Sequence, residues 1–143
     1  MALDPKVWGP HYWFFLHTIA LTYPILPNEV MRKKYYDFIQ NLPLFLPIPE
    51  IGNEFSKMID RYPVTPYLES RQDFIRWMHF IHNKINVSLD LPEKTLEETM
   101  TEYYEHDKPK AVKDAEERKR REKIVFIIGI IIILIAAAYL YNK

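Results

Sequence analysis

The carboxyl-terminal part of the chain contains 18 consecutive residues without a charge, from Ile124 to Tyr141. A helix rises about 1.5 Å per residue, so this segment would extend about 27 Å, close to the hydrocarbon thickness of a bilayer. Residues 124–138 are apolar on every face, whereas a core helix of a soluble protein keeps polar positions at regular intervals. The segment therefore predicts a membrane-spanning helix rather than a buried core helix.

The charges on the two sides of this segment predict its orientation. Five cations lie just before it, within residues 118–123, and Lys143 lies after it. Tyr139 and Tyr141 occupy positions where aromatic rings meet a membrane surface. By the positive-inside rule, this asymmetry predicts a single-pass tail anchor that leaves the amino-terminal domain in the cytosol. The lack of an apolar signal-peptide core at the amino terminus favours the same topology.

The charge balance changes along the chain and predicts three regions. Residues 1–106 contain 10 Lys and Arg and 14 Asp and Glu, whereas residues 107–123 contain 8 and 5. The second stretch has too few large apolar side chains to fold by burial. We predict a helical domain at 1–106, a charged linker at 107–123 and an anchor at 124–141. The linker is either a spacer or a basic segment held against anionic lipid headgroups.

Composition excludes several classes of function. The sequence has no cysteine, so it lacks disulfides, thiolate metal sites, iron–sulfur clusters and any catalytic thiol of its own. Its 19 Lys and Arg balance 19 Asp and Glu, which removes a general attraction to phosphates and predicts no nucleic-acid partner. His17, His79 and His82 lack a further ligand at metal spacing, so no metal site is predicted.

Prolines and capping residues divide residues 1–106 into short helices. Pro10 suits the first turn of a helix that ends near Tyr23, and the prolines at 43, 47 and 49 exclude regular structure until about residue 50. No segment alternates with period two, so no sheet is predicted. The fold class is all-α, a compact bundle of four or five helices followed by a carboxyl-terminal transmembrane helix. The other predicted helices are 29–41 with Asn28 as N-cap, 50–61, 71–89 with a Ser70/Asp73 capping box, and one from a Thr95/Glu98 capping box to about 104.

Two groups of residues are candidates for chemistry. On the long helix, His79, His82, Asn83 and Asn86 share one face, which either bonds a heterocycle or ribose or is a solvated polar face. On the first helix, Trp13 and His17 lie one turn apart, and they either flank a planar ligand or belong to the core.

These same residues resemble the Erv/ALR family of flavin-dependent sulfhydryl oxidases, over about residues 8–89. Trp8-Gly9-Pro10, followed by Trp13, His17 and Tyr23-Pro24, is similar to the opening helix of the family. His82-Asn83-Lys84-Ile85-Asn86-Val87-Ser88-Leu89 is similar to its His-Asn-x-Val-Asn-x-x-Leu flavin motif. The resemblance implies a helical bundle that holds FAD, commonly as a homodimer. The cofactor-binding positions that it implies are Trp8, Trp13, His17, His82, Asn83, Asn86 and Leu89.

The chain departs from this family at the redox motif. Members carry Cys-x-x-Cys at the start of the third helix, four residues before a Phe, and Phe55 aligns these two positions with Ile48 and Ile51. Isoleucine can neither attack a disulfide nor pass electrons to a flavin, so no catalytic residue is predicted. Leu91 also stands before Pro92, where the family usually has a lysine that contacts the cofactor.

Two functions are therefore expected from the sequence. The first is a membrane-anchored homologue of FAD-dependent thiol oxidases that cannot run the dithiol–disulfide relay, unless a partner supplies the cysteines. The second is a non-catalytic structural or assembly protein whose bundle docks viral protein partners. The first six residues and the anchor look most like homologues from large DNA viruses, which implies a host membrane or an internal virion membrane.

Overall fold

The computed structural model of the protein describes residues 3–142, and within that range the regular structure is entirely helical. The chain divides into two units between Tyr103 and Tyr104. The prediction of an all-α chain with a long apolar helix at its carboxyl end is confirmed. The helices are α1 (Pro5–Thr22), α2 (Glu29–Asn41), α3 (Pro49–Arg61), α4 (Arg71–Ser88), α5 (Leu96–Asp107) and α6 (Lys110–Tyr141).

Side-chain caps begin three helices where the sequence predicts them. Asn28 accepts a hydrogen bond from a backbone N–H in the first turn of α2, at 2.9 Å. Ser70 Oγ accepts from the backbone N–H of Asp73 at 3.2 Å. Thr95 and Glu98 cap each other, because each side chain accepts from the backbone N–H of the other, at 2.7 and 3.2 Å. These bonds satisfy donors that the first turn of a helix leaves free.

The predicted start of α1 at Pro10 is wrong. Asp4 caps the helix by accepting from the Lys6 N–H at 2.9 Å, and Pro5 occupies the first turn. Pro10 consequently lies inside α1, where its missing N–H removes the hydrogen bond to the Lys6 carbonyl. The residues before Pro10 thus add more than a turn to the helix that carries Trp8.

The expectation that the prolines between α2 and α3 exclude regular structure is wrong. Leu42–Phe45 forms a short 3₁₀ helix with Pro43 in its first turn, and α3 begins at Pro49. Proline suits these positions because the first residues of a helix need no intrahelical N–H. A second 3₁₀ turn forms at Thr65–Tyr67.

Helix α4 forms the centre of the first unit. Its Trp77 is fully buried, and the indole N–H donates to the Tyr62 carbonyl at 3.0 Å. Tyr23, at the end of α1, is also buried and donates its hydroxyl to the Leu68 carbonyl at 2.8 Å. The first bond fixes the end of α3 against α4, and the second fixes the end of α1 against the segment that precedes α4. The core consists of Leu16, Ala20, Tyr23, Ile39, Leu42, Phe55, Ile59, Val64, Leu68, Phe74, Ile75, Trp77, Met78 and Ile81.

Gly52 determines how closely α3 approaches the 3₁₀ helix before it. A Cβ atom at this position would lie 2.6 Å from the carbonyl oxygen of Pro43, which is shorter than van der Waals contact allows. Glycine is therefore required for this packing. The close approach fixes the first turn of α3, which contains Ile51.

In the second unit, α6 is a single helix of 32 residues. Within residues 3–142 it is the one helix that is long and apolar enough to cross a membrane, and none of its apolar window is buried by protein. A core helix of a soluble protein is instead covered by its neighbours. These features are those of a candidate membrane anchor.

Candidate functional site

Residues of α1, α3 and α4 line a cavity of about 350 Å³, a size typical of small-molecule sites. Its wall is mostly aromatic and aliphatic. Trp8 and Trp13 come from α1, Ile51 from α3, and Ile85 from α4, with Leu89 at the end of α4. Three of the predicted cofactor positions and one predicted redox position therefore meet at one cavity. We call this site the aromatic cavity.

The indole of Trp8 is an unsatisfied donor in the wall of the aromatic cavity. Its ring packs edge to face against Tyr12, with 5.1 Å between ring centroids. Its Nε1 is buried and has no hydrogen-bond partner among the described residues. A buried N–H without an acceptor costs about 1–3 kcal/mol. A ligand with an acceptor atom at this point would remove that cost.

Trp13 separates the aromatic cavity from a pair of histidines. Its indole stacks on the His82 ring with 4.0 Å between centroids and 13° between planes. His82 Nδ1 lies 3.1 Å from His17 Nε2, within hydrogen-bond distance. Because the Trp13 and His82 rings are in direct contact, a planar ligand has no room between them. Such a ligand meets Trp13 on its cavity side.

Burial keeps both histidines of this pair neutral at pH 7. Burial, with a smaller contribution from nearby His79, lowers the pKa of His17 to about 4. It lowers the pKa of His82 to about 3, with smaller contributions from His17 and from the charge of Lys94. His17 is 3% exposed, and its Nδ1 is the second buried polar atom without a partner among the described residues.

The interpretation of the long helix as having a solvated polar face is wrong. The Asn83 side chain donates to the Lys94 carbonyl at 2.7 Å and accepts from the Lys94 N–H at 3.0 Å. His79 Nε2 lies 3.3 Å from the Asn83 amide nitrogen, and His79 Nδ1 lies 3.2 Å from Thr99 Oγ1. The segment at the start of α5 therefore covers this face. We call these four residues the amide network.

Lys94 and Thr99 are site residues that the sequence does not predict. Spacing along one helix finds Asn83 and His79 but not their partners, because the partners come from the next segment. The Thr95/Glu98 capping box does predict where that segment begins. The partners follow only once the segment is placed against α4.

The end of α4 places Asn86 and Leu89 differently. Asn86 is buried, and its carbonyl accepts from the N–H groups of Leu89 and Leu91 at 3.0 and 2.9 Å. Asp90 adopts a left-handed conformation with φ of 56°, which allows the chain to turn. Leu89 is 56% exposed and lines the aromatic cavity. Of these two predicted cofactor positions, only Leu89 is in the cavity wall.

Ile48 and Ile51, the two predicted redox positions, lie at the amino-terminal end of α3. Ile48 is the N-cap residue, and its carbonyl accepts from the Gly52 N–H at 3.0 Å. Ile51 is in the first turn and lines the aromatic cavity, whereas Ile48 is not among its lining residues. A helix amino terminus lowers the pKa of a thiol placed there. In this chain the start of α3 has isoleucine side chains instead of thiols.

A cavity with aromatic and apolar walls between packed helices is a common place for a small-molecule or cofactor site in a helical bundle. The Erv1 / Alr family matches residues 10–105, and the chain belongs to this family. A probable FAD-linked sulfhydryl oxidase of Acanthamoeba polyphaga mimivirus is 33% identical over 107 residues, which cover 69% of this chain and 75% of that protein.

Further comparisons agree with this family. A sulfhydryl oxidase homologue of Invertebrate iridescent virus 3 is 31% identical over 93 residues, covering 65% of this chain and 63% of that protein. The crystal structure of the FAD binding domain of Erv1 from Saccharomyces cerevisiae has a TM-score of 0.65 and 26% identity. The match covers 71% of this chain and 95% of the Erv1 chain. The predicted resemblance to this family, including its viral members, is confirmed.

Proposed function

We propose that this protein is a membrane-anchored, FAD-binding member of the Erv1 / Alr family that does not run the dithiol–disulfide relay by itself. One observation carries the proposal. Ile51, at a position where the family has a redox cysteine, lines the same cavity as Trp8, Trp13 and Leu89. This arrangement supports a cofactor site beside the relay position, where isoleucine replaces a cysteine.

The residues of the aromatic cavity fit a flavin nucleotide. Trp13 offers an indole face for a planar ring system, and Trp8 offers an N–H without an acceptor. When bound, FAD supplies two-electron redox chemistry. In our proposal Trp8, Trp13 and Leu89 form the cavity part of the cofactor site. His17, His82, Asn83 and Asn86 complete the proposed set, and His17 Nδ1 has no partner among the described residues.

Thiol chemistry at this site would need a partner. The sequence contains no cysteine, so electrons from a dithiol cannot reach a flavin through this chain's own thiols. A second protein that presents a cysteine pair beside Ile51 would restore the path. Without such a partner the protein binds the cofactor and lacks oxidase activity.

The proposal extends to location and assembly. The cation excess before the apolar segment supports an orientation with the amino-terminal domain in the cytosol. The viral relatives support a host or internal virion membrane. Val7 and Phe15 are exposed large apolar side chains on α1 and support a homodimer through this helix. The proposed regions are the domain at 1–106, the linker at 107–123 and the anchor at 124–141.

The visible absorption spectrum of the full-length protein in detergent tests cofactor binding. We expect a flavin spectrum that changes when denaturation releases the cofactor. Ile51→Trp fills the aromatic cavity and should abolish the spectrum, whereas Leu44→Trp, at a position 78% exposed, should preserve it. A colourless, folded wild-type protein that stays colourless with added FAD would contradict the proposal.

Oxygen uptake with dithiothreitol tests the loss of the relay. We expect no flavin-dependent uptake above that of free FAD at the same concentration. Flavin-dependent oxidation of the dithiol by the purified protein alone would show that the site is catalytic without cysteines.

A second candidate function is a docking module for viral structural proteins. The observation that favours it is the presence of exposed apolar side chains at both ends of α2: Leu26, which is 89% exposed, lies before the helix, and Leu44 and Phe45 lie after it. Such patches mark protein contacts in many soluble domains. Cross-linking in infected cells tests it, and Leu26→Ser with Leu44→Ser should remove the cross-links without changing the flavin spectrum.

A further inference from the structure

α6 carries a dense group of cations immediately before its apolar segment. Residues 118–123 contain five cations and one carboxylate, and all six side chains are exposed. Residues 113–117, further from the apolar segment, contain three of the four nearby carboxylates. We call the cations the cationic collar: Arg118, Lys119, Arg120, Arg121 and Lys123.

The helix fixes the collar at the edge of the apolar segment. α6 runs without interruption from Lys110 to Tyr141, and Ile124 directly follows Lys123. The apolar segment is about 27 Å long at the rise of an α-helix, which matches a hydrocarbon layer. If this segment crosses the bilayer, the collar lies at the level of the headgroups.

The collar surrounds the helix instead of forming one face. Successive residues of an α-helix are about 100° apart, so the side chains of residues 118–121 point in four directions around the axis. A helix lying flat on a membrane has its cations on one side and apolar residues on the other. A full ring of cations suits a helix that passes through a headgroup layer and meets headgroups on every side.

Most of the collar has no carboxylate partner among residues 3–142. Arg121 pairs with Glu117 at 3.4 Å, and Glu116 pairs with Lys108 at 3.1 Å. Within residues 3–142, no ion pair involves Arg118, Lys119, Arg120 or Lys123. Among the described residues, these four cations are therefore available to pair with anions of another molecule.

We propose that the cationic collar binds the headgroup phosphates and carboxylates of anionic lipids, and enriches those lipids around α6. This inference rests on the membrane-spanning role proposed for α6. Each cation close to an anionic membrane surface increases binding by about five-fold at physiological ionic strength. The ring arrangement allows several lipids to bind at once.

Energy transfer from the protein to labelled lipids tests the collar. The chain has no cysteine, so Val112→Cys provides a single site for a donor dye on the exposed surface of α6. The full-length protein is reconstituted in phosphatidylcholine vesicles with a minor fraction of phosphatidylserine. An acyl-chain acceptor is carried either by phosphatidylserine or by phosphatidylcholine. We expect phosphatidylserine to be enriched around the protein by about five-fold or more, and less so at high salt.

Variants separate the collar from charge in general. Replacing four collar cations by glutamine should reduce the enrichment to that of phosphatidylcholine, and replacing three collar arginines by lysine should retain it. Replacing four exposed lysines of the first unit should also retain it. These variants are R118Q/K119Q/R120Q/R121Q, R118K/R120K/R121K and K6Q/K33Q/K34Q/K57Q.

Three results would overturn the proposal. The first is equal enrichment of both lipids around the wild-type protein. The second is the same enrichment of phosphatidylserine around the glutamine variant as around the wild type. The third is loss of this enrichment when inorganic phosphate is added at the concentration of the lipid headgroups. Extraction with alkaline carbonate distinguishes this failure from that of the span. A wild-type protein that is extracted does not span the membrane, and both inferences fail. A protein that resists extraction but shows no enrichment contradicts the collar alone.

Discussion

The aromatic cavity and the amide network lie close together along α4, and they differ in how completely their polar atoms are bonded. The cavity wall contains the buried Trp8 N–H, which has no acceptor in the part of the chain that the structure describes. In the amide network, Asn83 satisfies both the N–H and the carbonyl of Lys94. This difference indicates that the residues predicted to bind the cofactor are of two kinds. Some form hydrogen bonds within the protein and stabilise the fold, and others have a polar atom that a ligand can bond.

The largest change is expected from restoring the relay with I48C/I51C. The two positions are three apart at the start of α3, a spacing that allows a disulfide, and the helix amino terminus favours the thiolate. We expect dithiol-dependent oxygen uptake at least about 100-fold above the wild-type level, because the wild type has no relay group. Oxygen-electrode assays on the flavin-loaded variant measure it.

The single variants I48C and I51C are the controls for this gain. Each has one thiol and cannot complete the dithiol step, so each should remain at the wild-type level. An inactive double variant that binds FAD would show that α3 does not present these positions to the flavin.

The second prediction concerns pH and the histidine pair. Histidines in an unfolded chain titrate near 6.5, whereas His17 and His82 titrate at about 4 and 3 in the folded protein. The unfolded state therefore binds more protons as the pH falls below about 6.5. The free energy of unfolding should decrease over the window from 6.5 to 4, by up to about 1.4 kcal/mol per pH unit for each histidine.

Denaturant unfolding of the full chain in detergent, from pH 8 down to about pH 4, measures this slope. The H17Q/H82Q variant should lose most of it, and H11Q, on the exposed surface of α1, should keep it. A wild-type stability that does not change across this window would disprove the neutral buried pair.

The third prediction tests whether the amide network holds the fold. Asn83→Ala leaves the N–H and carbonyl of Lys94 without partners in a partly buried place. We expect a loss of about 3 kcal/mol in the free energy of unfolding. Lys94→Ala retains the same backbone bonds and removes only the exposed ion pair with Glu102, so it should cost less than about 1 kcal/mol. Equal costs for the two variants would contradict the role of the amide.

The smallest effects are expected from two glycines near the cavity wall. Gly52→Ala forces α3 away from the Pro43 carbonyl and should cost about 2 kcal/mol, typical of overpacking. At Gly9 an added Cβ would meet no atom within 4 Å outside its own stretch of helix, so Gly9→Ala should stabilise α1 by about 0.5–1 kcal/mol. Thermal unfolding compares both with the wild type. A neutral Gly52→Ala would show that the first turn of α3 can move.

Local chemistry made most of the fold predictable. The caps at Asn28, at Ser70 and at Thr95 are short-range hydrogen bonds, and each begins the helix that it predicts. The start of α1 was mistaken because two prolines, Pro5 and Pro10, both suit a first turn. Only the Asp4 cap distinguishes them. The 3₁₀ helix at 42–45 depends on packing against α3 and has no comparable local pattern.

The candidate site was predictable only in part. Periodicity correctly placed His79, Asn83 and Asn86 on one side of α4, but it could not show that residues 94–99 cover that side. Sequence resemblance aligned Ile51 with a redox position, and the structure places it in the cavity wall with Trp8. Contacts between different helices are tertiary, so spacing within one helix does not contain them.

The 3.1 Å separation of His17 Nε2 and His82 Nδ1 has one more consequence. Two neutral imidazoles at this distance share a single hydrogen, which belongs to one tautomer or to the other. When His17 donates it, the buried Nδ1 of His17 is a bare acceptor. When His82 donates it, the same Nδ1 carries a hydrogen and is a donor. The pair can therefore match a ligand of either polarity by moving protons alone, with every side chain in place.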